Sequence, residues 1–282
     1  EEIKDGEIGY IATGIKDPRQ LKIGDTLIAH KKEHMTDNSE HVALPGYREP
    51  KPVVFVSFYP EDADRYDELK HSLEKLHLTD SALTFEPDAS EVLGRGFKAG
   101  FLGQLHFEIT AERLAREFQV RTTHSFPSVA YRVKMSDKRQ VTSDKEDWVT
   151  VTNPKDFPND YLGVEEPITS VEILTPMRWV SAVLGLKELF RFSDVTTAPM
   201  GEKIIIRARL PLADLIRDLD DTLKSVSQGF ASLNYEVVGF AGADVAKLEI
   251  LVSGQVVPGL TRILPRRDIE REARTTVLKL KE

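Results

Sequence analysis

Two stretches of the chain carry the same order of apolar patterns. From Pro52, the run Val53-Val54-Phe55-Val56-Ser57-Phe58-Tyr59 predicts a strand. Tyr66, Leu69, Leu73 and Leu76 then recur at helical spacing, behind Asp62 and Asp64, which suit a helix start. Leu83 to Asp88 and Val92 to Phe101 predict a strand pair, and Leu105, Phe107, Ile109, Ala111, Leu114 and Phe118 mark a second helix. Ser128 to Val133 is the expected closing strand. This β-α-β-β-α-β order predicts a ferredoxin-like sandwich with its helices on one sheet face. The order then returns. Thr169 to Thr175 predicts a strand, Val180 to Phe190 a helix, Asp194 to Thr197 a short strand and Lys203 to Leu210 a strong one. Pro211 opens a helix with Leu212, Leu215, Ile216, Leu219, Leu223 and Val226 inward, Gly229 is placed to end it, and Ala231 to Phe240 is the last strand. The halves repeat in architecture without obvious identity.

The flanks are less regular. Gly9 to Asp17 and Ile23 to Ile28 predict short strands between Gly and Asp turn residues, too few to close a barrel. Lys31 to Arg48 is a polar linker, and His30, His34 and His41 beside it lack the carboxylate or cysteine partners of a metal site. Lys134 to Glu166 is a connection in which only Trp148-Val149-Thr150-Val151 looks like a strand. After Ala243 come an expected hairpin, Lys247 to Val252 with Gln255 to Val257, and a charged helix from Asp268.

Composition changes this picture in two places. A net charge of -8 argues against a chain held to nucleic acid by its overall charge, so local distribution matters more. Glu61 to Glu91 holds ten acids against three bases, whereas the tail from Arg262 holds seven Lys or Arg against four acids. The absence of cysteine excludes disulfides and cysteine-ligated metals, and no apolar run reaches membrane-spanning length.

The glycine-rich centre, Gly94-Arg95-Gly96-Phe97-Lys98-Ala99-Gly100-Phe101, is where chemistry is sought first. Gly94, Gly96 and Gly100 leave little side chain to clash with a close neighbour. No Gly-Lys-Ser/Thr follows, so the stretch is no phosphate-binding loop. Its basic and aromatic residues match the RNA-stacking strand of RRM domains, with Phe55, Phe97 and Phe101 as the platform; a single-stranded RNA binder is therefore the alternative reading. No catalytic set emerges. His106 and Glu108 point to different faces of a helix, His124-Ser125 has no acid placed to orient it, and Glu61, Asp62 and Asp64 are accounted for by a helix N-terminus. A regulatory domain pair for small molecules fits the repeat but has no motif in support.

Leu102-Gly103-Gln104-Leu105-His106-Phe107-Glu108-Ile109 resembles the Gly-x-Leu-His-x-Glu-Ile signature of domain III in translational GTPases of the elongation factor G class. The string from Ser57-Phe58-Tyr59-Pro60-Glu61-Asp62 through Phe85-Glu86-Pro87-Asp88 to Gly100-Phe101-Leu102-Gly103 is more similar still to the LepA family, also called elongation factor 4. The short connection before Glu166 leaves no room for the domain IV of elongation factor G, and the related BipA family lacks this wording in its domain III. Ser227-Gln228-Gly229-Phe230-Ala231-Ser232 resembles the turn before the last strand of domain V.

The resemblance implies an α+β chain: the tail of a β-barrel domain II with a linker over 1–48, a domain III-like ferredoxin fold over 49–134 and a linker over 135–166. A domain V-like ferredoxin fold over 167–241 and the start of a family-specific region with a hairpin and helix over 242–282 complete it. It implies a piece of a longer factor, without the G domain, that does not itself hydrolyse GTP; GTP and Mg2+ bind elsewhere in the parent protein, and the piece itself takes no cofactor. Its partners are the ribosome, through rRNA and ribosomal proteins, with tRNA met by a further C-terminal domain. The parent activity is GTP-dependent back-translocation or fidelity control, in the cytoplasm, with peripheral association at the inner membrane face. Phosphate surfaces call for basic groups, small residues and tight turns, which nominates Lys224, Ser227, Gln228, Gly229 and Ser232, with Arg262, Arg266 and Arg267 in the tail. Gly103, His106 and Glu108 are assigned to a domain interface or structural motif.

Overall fold

The computed structural model describes residues 4, 6–10, 12, 14, 25–26, 51–135 and 148–281. Most of the residues in the expected barrel strands lie outside the described residues, and His30, His34 and His41 all do.

The first unit is β1 (Val54–Pro60), α1 (Tyr66–Thr79), β2 (Thr84–Ser90), β3 (Gly94–Phe101), α2 (Gln104–Glu117) and β4 (Thr122–His124). Its sheet runs β2-β3-β1-β4 with every pair antiparallel. Strand alternation sends Val54, Val56 and Phe58 of β1 and Phe97, Ala99 and Phe101 of β3 to the face where Leu69, Leu73 and Leu76 of α1 and Leu114 of α2 close the core. Asp62 caps the short 3₁₀ turn before α1 by accepting the Asp64 N–H.

Two expectations are corrected here. Pairing sets Phe58 opposite Phe97 and Val54 opposite Phe101, which places Phe97 and Phe101 on the core face, fully buried. Phe55 pairs with Gly100 on the other face. The three rings therefore share no open platform, and the RRM reading falls. The closing strand also differs: Thr122 to His124 completes the first sheet, and Ser128 keeps only an isolated bridge to Phe55. Pro127 has no N–H with which to continue a ladder, and the chain beyond it crosses over as β5 (Tyr131–Met135).

β5 pairs with β6 (Trp148–Val151) and with the first part of β7 (Tyr161–Pro176). Further along, β7 exchanges β5 for β9 (Lys203–Pro211), which carries β8 (Ser193–Met200) outside it, while β10 (Ser232–Gly242) lines the opposite edge. Around this part of β7 the order β8-β9-β7-β10 repeats that of the first unit. The helix expected over Val180 to Phe190 is broken into a 3₁₀ turn, α3 (Val180–Gly185) and a second 3₁₀ turn, Leu186–Glu188. After Pro211 the helical run is α4 (Leu212–Asp214), a π turn (Leu215–Leu219) and α5 (Asp220–Val226), burying Leu212, Leu215, Ile216, Leu219 and Leu223.

At the end, β11 (Val245–Leu248) pairs with β14 (Arg262–Pro265), whereas β12 (Leu251–Val252) and β13 (Gln255–Val256) form the small hairpin between them. Lys247 thus belongs to a different ladder from the one expected. α6 (Ile269–Lys279) follows. Among the described residues, no helix is long and apolar enough to cross a membrane.

Candidate nucleic-acid interface

One end of the second sheet gathers several of the expected residues. Register places Pro176 opposite Lys203 and Leu174 opposite Ser232, so the end of β7, the β8–β9 turn and the start of β10 lie together. α5 delivers Lys224, Gln228 and Gly229 to the same end. Gln228 and Gly229 are both left-handed, at φ 52° and 78°, and the Gly229 N–H donates to the Lys224 carbonyl at 2.8 Å. This left-handed pair closes the helix and leaves both residues exposed. Lys224 is exposed and ion-paired to Asp220 one turn earlier, a pair that water and salt screen readily. Ser232 is exposed at the strand start.

Ser227 does not join this surface. It is fully buried, its Oγ donating to the Leu223 carbonyl at 2.7 Å and accepting the Ala231 N–H at 3.1 Å. Its hydroxyl closes the turn and, fully buried, is out of reach of a ligand.

Four neighbours that the sequence did not nominate as contacts lie at the same end. Met177 is 66% and Phe230 53% exposed, and the Arg178 guanidinium lies 4.6 Å from the Phe230 ring centre and 5.5 Å from that of Trp179. The Met-Arg-Trp run straight after a strand was the available signal, but its partner Phe230 is distant in sequence, just before the paired strand β10. The end thus offers a cation over the exposed Phe230 ring and near that of Trp179, beside two small or polar turn residues and a lysine. Exposed aromatic and cationic groups of this kind are the chemistry that can stack on unpaired bases and pair with phosphate.

The tail arginines divide. Arg262 faces inward, donating to Glu272 at 3.3 Å and Thr276 at 2.5 Å, with its guanidinium 4.4 Å from the Phe126 ring centre. It fastens α6 to the body, unlike the two exposed tail arginines. Arg266 and Arg267 stay more than half exposed, Arg266 bonded to Asp244 and to the Tyr161 hydroxyl, each at 3.0 Å.

The Gly-x-Leu-His motif holds a junction. His106 Nδ1 accepts the Leu102 N–H at 3.1 Å, so Nε2 carries the proton donated to Asp80 at 2.8 Å. A side chain at Gly103 would stand 3.0 Å from the Tyr235 hydroxyl of β10, and that hydroxyl donates to the Leu102 carbonyl at 3.4 Å. Glu108 accepts from Gln104 on the exposed face of α2.

A second junction forms at Asp88, whose carboxylate accepts from Ser57 at 2.6 Å, Tyr59 at 2.8 Å and Lys155. Burial works to raise the Asp88 pKa, but the bonds from Lys155, Ser57 and Tyr59 outweigh it and hold the carboxyl below its ordinary value. The stability this supplies is fully present above the unfolded carboxyl's value near 3.8 and is lost as pH falls through the lower folded value. Asp88→Asn is therefore expected to cost on the order of 1 kcal/mol at neutral pH, and urea titrations should show the gap to the parent closing in strong acid.

Comparison with known proteins identifies the relatives of this chain. The model of elongation factor G domain III matches residues 49–125, and that of the elongation factor G C-terminus matches residues 163–251. The class is therefore that of the elongation factor G-like translation factors. Elongation factor 4 of Thermobifida fusca is 40% identical over 279 residues, covering 98% of this chain and 43% of that protein. Elongation factor 4 of Clostridium botulinum strain Hall is 38% identical over 286 residues, covering 100% of this chain and 45% of that protein. The chain belongs to the elongation factor 4 family and spans less than half the length of these curated relatives. A solved structure from Thermus thermophilus aligns with 74% of this chain and 43% of its own at a TM-score of 0.46 and 18% identity.

Proposed function

We propose that this chain is the ribosome-docking part of an elongation factor 4-type translation factor, and that the sheet end built by Arg178, Phe230, Lys224, Gln228, Gly229 and Ser232 is its rRNA contact. The observation that carries the reading is the exposed Arg178–Phe230 stack beside the left-handed Gln228–Gly229 turn, in a chain of this family. Phosphate contact from Lys224 positions the factor and stacking on Phe230 seats it. Arg266 and Arg267 add charge from the tail, while Gly103 and His106 keep the first unit seated against β10.

In this reading 1–48 ends a β-barrel domain and its linker, 49–134 is domain III and 135–166 a connection. The fold of domain V spans 167–241, and 242–282 opens the family-specific region. The two ferredoxin-like units act as a binding body without chemistry of their own. GTP and Mg2+ bind another part of the whole cytoplasmic protein, tRNA contact belongs to a further domain, and the task is back-translocation or fidelity of elongation. Co-sedimentation with intact ribosomes at low and moderate salt tests this. Saturable binding displaced by elongation factor G is expected; equal binding to any single-stranded RNA, with no preference for ribosomes, would overturn it.

A further inference from the structure

A cleft of about 330 Å³ opens where three parts of the chain meet, away from the sheet end described above. The first unit contributes Gln104 and Phe126, the π turn contributes Ile216, Arg217 and Asp218, and the tail contributes Arg262 and Lys279. Its size lies at the small end of ordinary ligand sites.

Its polar groups are incompletely used. Arg262 Nε and Gln104 Oε1 are buried and make no hydrogen bond among the described residues. The two guanidiniums hold their carboxylates loosely, Arg262 with Glu272 at 3.3 Å and Arg217 with Asp268 at 3.5 Å, longer than charge-assisted bonds usually run. Burial, with the like charge of Arg217, pushes the Arg262 pKa down against the pull of Glu272. The bases Arg217, Arg262 and Lys279 share the lining with the carboxylates of Asp214, Asp218 and Glu272, of which Asp214 is already held by Arg191 and Glu272 by Arg262. An oxyanion would meet Arg217 and Lys279 in the cleft, while the unused Arg262 Nε and Gln104 Oε1 lie just beneath its surface. Phe126 and Ile216 supply an apolar wall for the remainder.

We infer that this cleft binds a small amphipathic anion, with its oxyanion at Arg217 and Lys279 and its apolar body against Phe126 and Ile216. Because the lining comes from three parts of the chain, the bound molecule ties the tail to both units. The site is separate from the proposed rRNA surface, so either can fail alone.

Fluorine NMR of para-fluorobenzoate, with para-fluorobenzyl alcohol as the uncharged match, tests the site. The acid is expected to broaden on addition of the protein and the alcohol much less. Arg217→Gln is expected to weaken the acid about ten-fold, the worth of one charge-assisted contact. Asp218→Asn, which removes a rim carboxylate without touching Arg262, is expected to tighten it about three-fold, a gain that misfolding does not produce. Equal broadening of acid and alcohol, no broadening of the acid, or an Asp218→Asn variant that binds the acid no better than the parent would each overturn the proposal.

Discussion

Arg191→Met is expected to destabilise the protein by about 3–5 kcal/mol, the usual cost of stripping the partner from buried charges. Arg191 sits between two carboxylates, bonding Glu166 at 2.5 and 3.1 Å and Asp214 at 2.8 and 3.1 Å, and its backbone N–H also donates to Asp214 at 2.9 Å. Both acids are almost fully buried. Together the three tie β7, the connection before β8 and α4, so the loss is felt by the whole second unit. Burial already pushes the Glu166 carboxyl above its ordinary value, against the pull of Arg191. Without the guanidinium that rise grows. A carboxyl with a raised folded pKa favours folding while it is protonated and loses that contribution as pH climbs through the folded value. Urea denaturation of Arg191→Met should therefore show its largest deficit at neutral pH and a smaller one in mild acid.

Gly96→Ala is the second large effect, at about 3 kcal/mol. A methyl group there would lie 2.2 Å from the Phe58 carbonyl oxygen and 2.6 Å from a Tyr59 ring carbon, so the β1–β3 pair would have to part. Gly185→Ala serves as the control, because its helical position has open space around it and alanine loses less backbone entropy there. Thermal melts should show Gly96→Ala far below the parent and Gly185→Ala at or slightly above it.

These two residues show what could be read beforehand. Gly96 and Gly100 announced close packing by their composition alone, and the structure sets backbone or side chain against each. Both β-α-β-β orders were legible because alternation and helical spacing are local properties. The closing strand was missed because Thr122-Thr123-His124 is short and polar, with no alternation to betray it. The Arg191 triad left no trace, since Glu165 and Glu166 look alike in sequence and only strand pleat buries the second. Arg262 looked like one more base on a solvated tail; its ring partner, Phe126, lies in the other unit. Phe230 read as part of a turn, and only the fold brings Arg178 onto it.

The most direct test of the docking surface is ribosome co-sedimentation of Arg178→Glu and Phe230→Ser beside Arg113→Glu, a reversal on the exposed face of α2 that is paired only with Glu117 among the described residues. The first two are expected to bind about ten-fold more weakly, with Arg178→Glu also less sensitive to salt, while Arg113→Glu binds like the parent. Equal affinities for all three variants and the parent would contradict the assignment of this sheet end to rRNA.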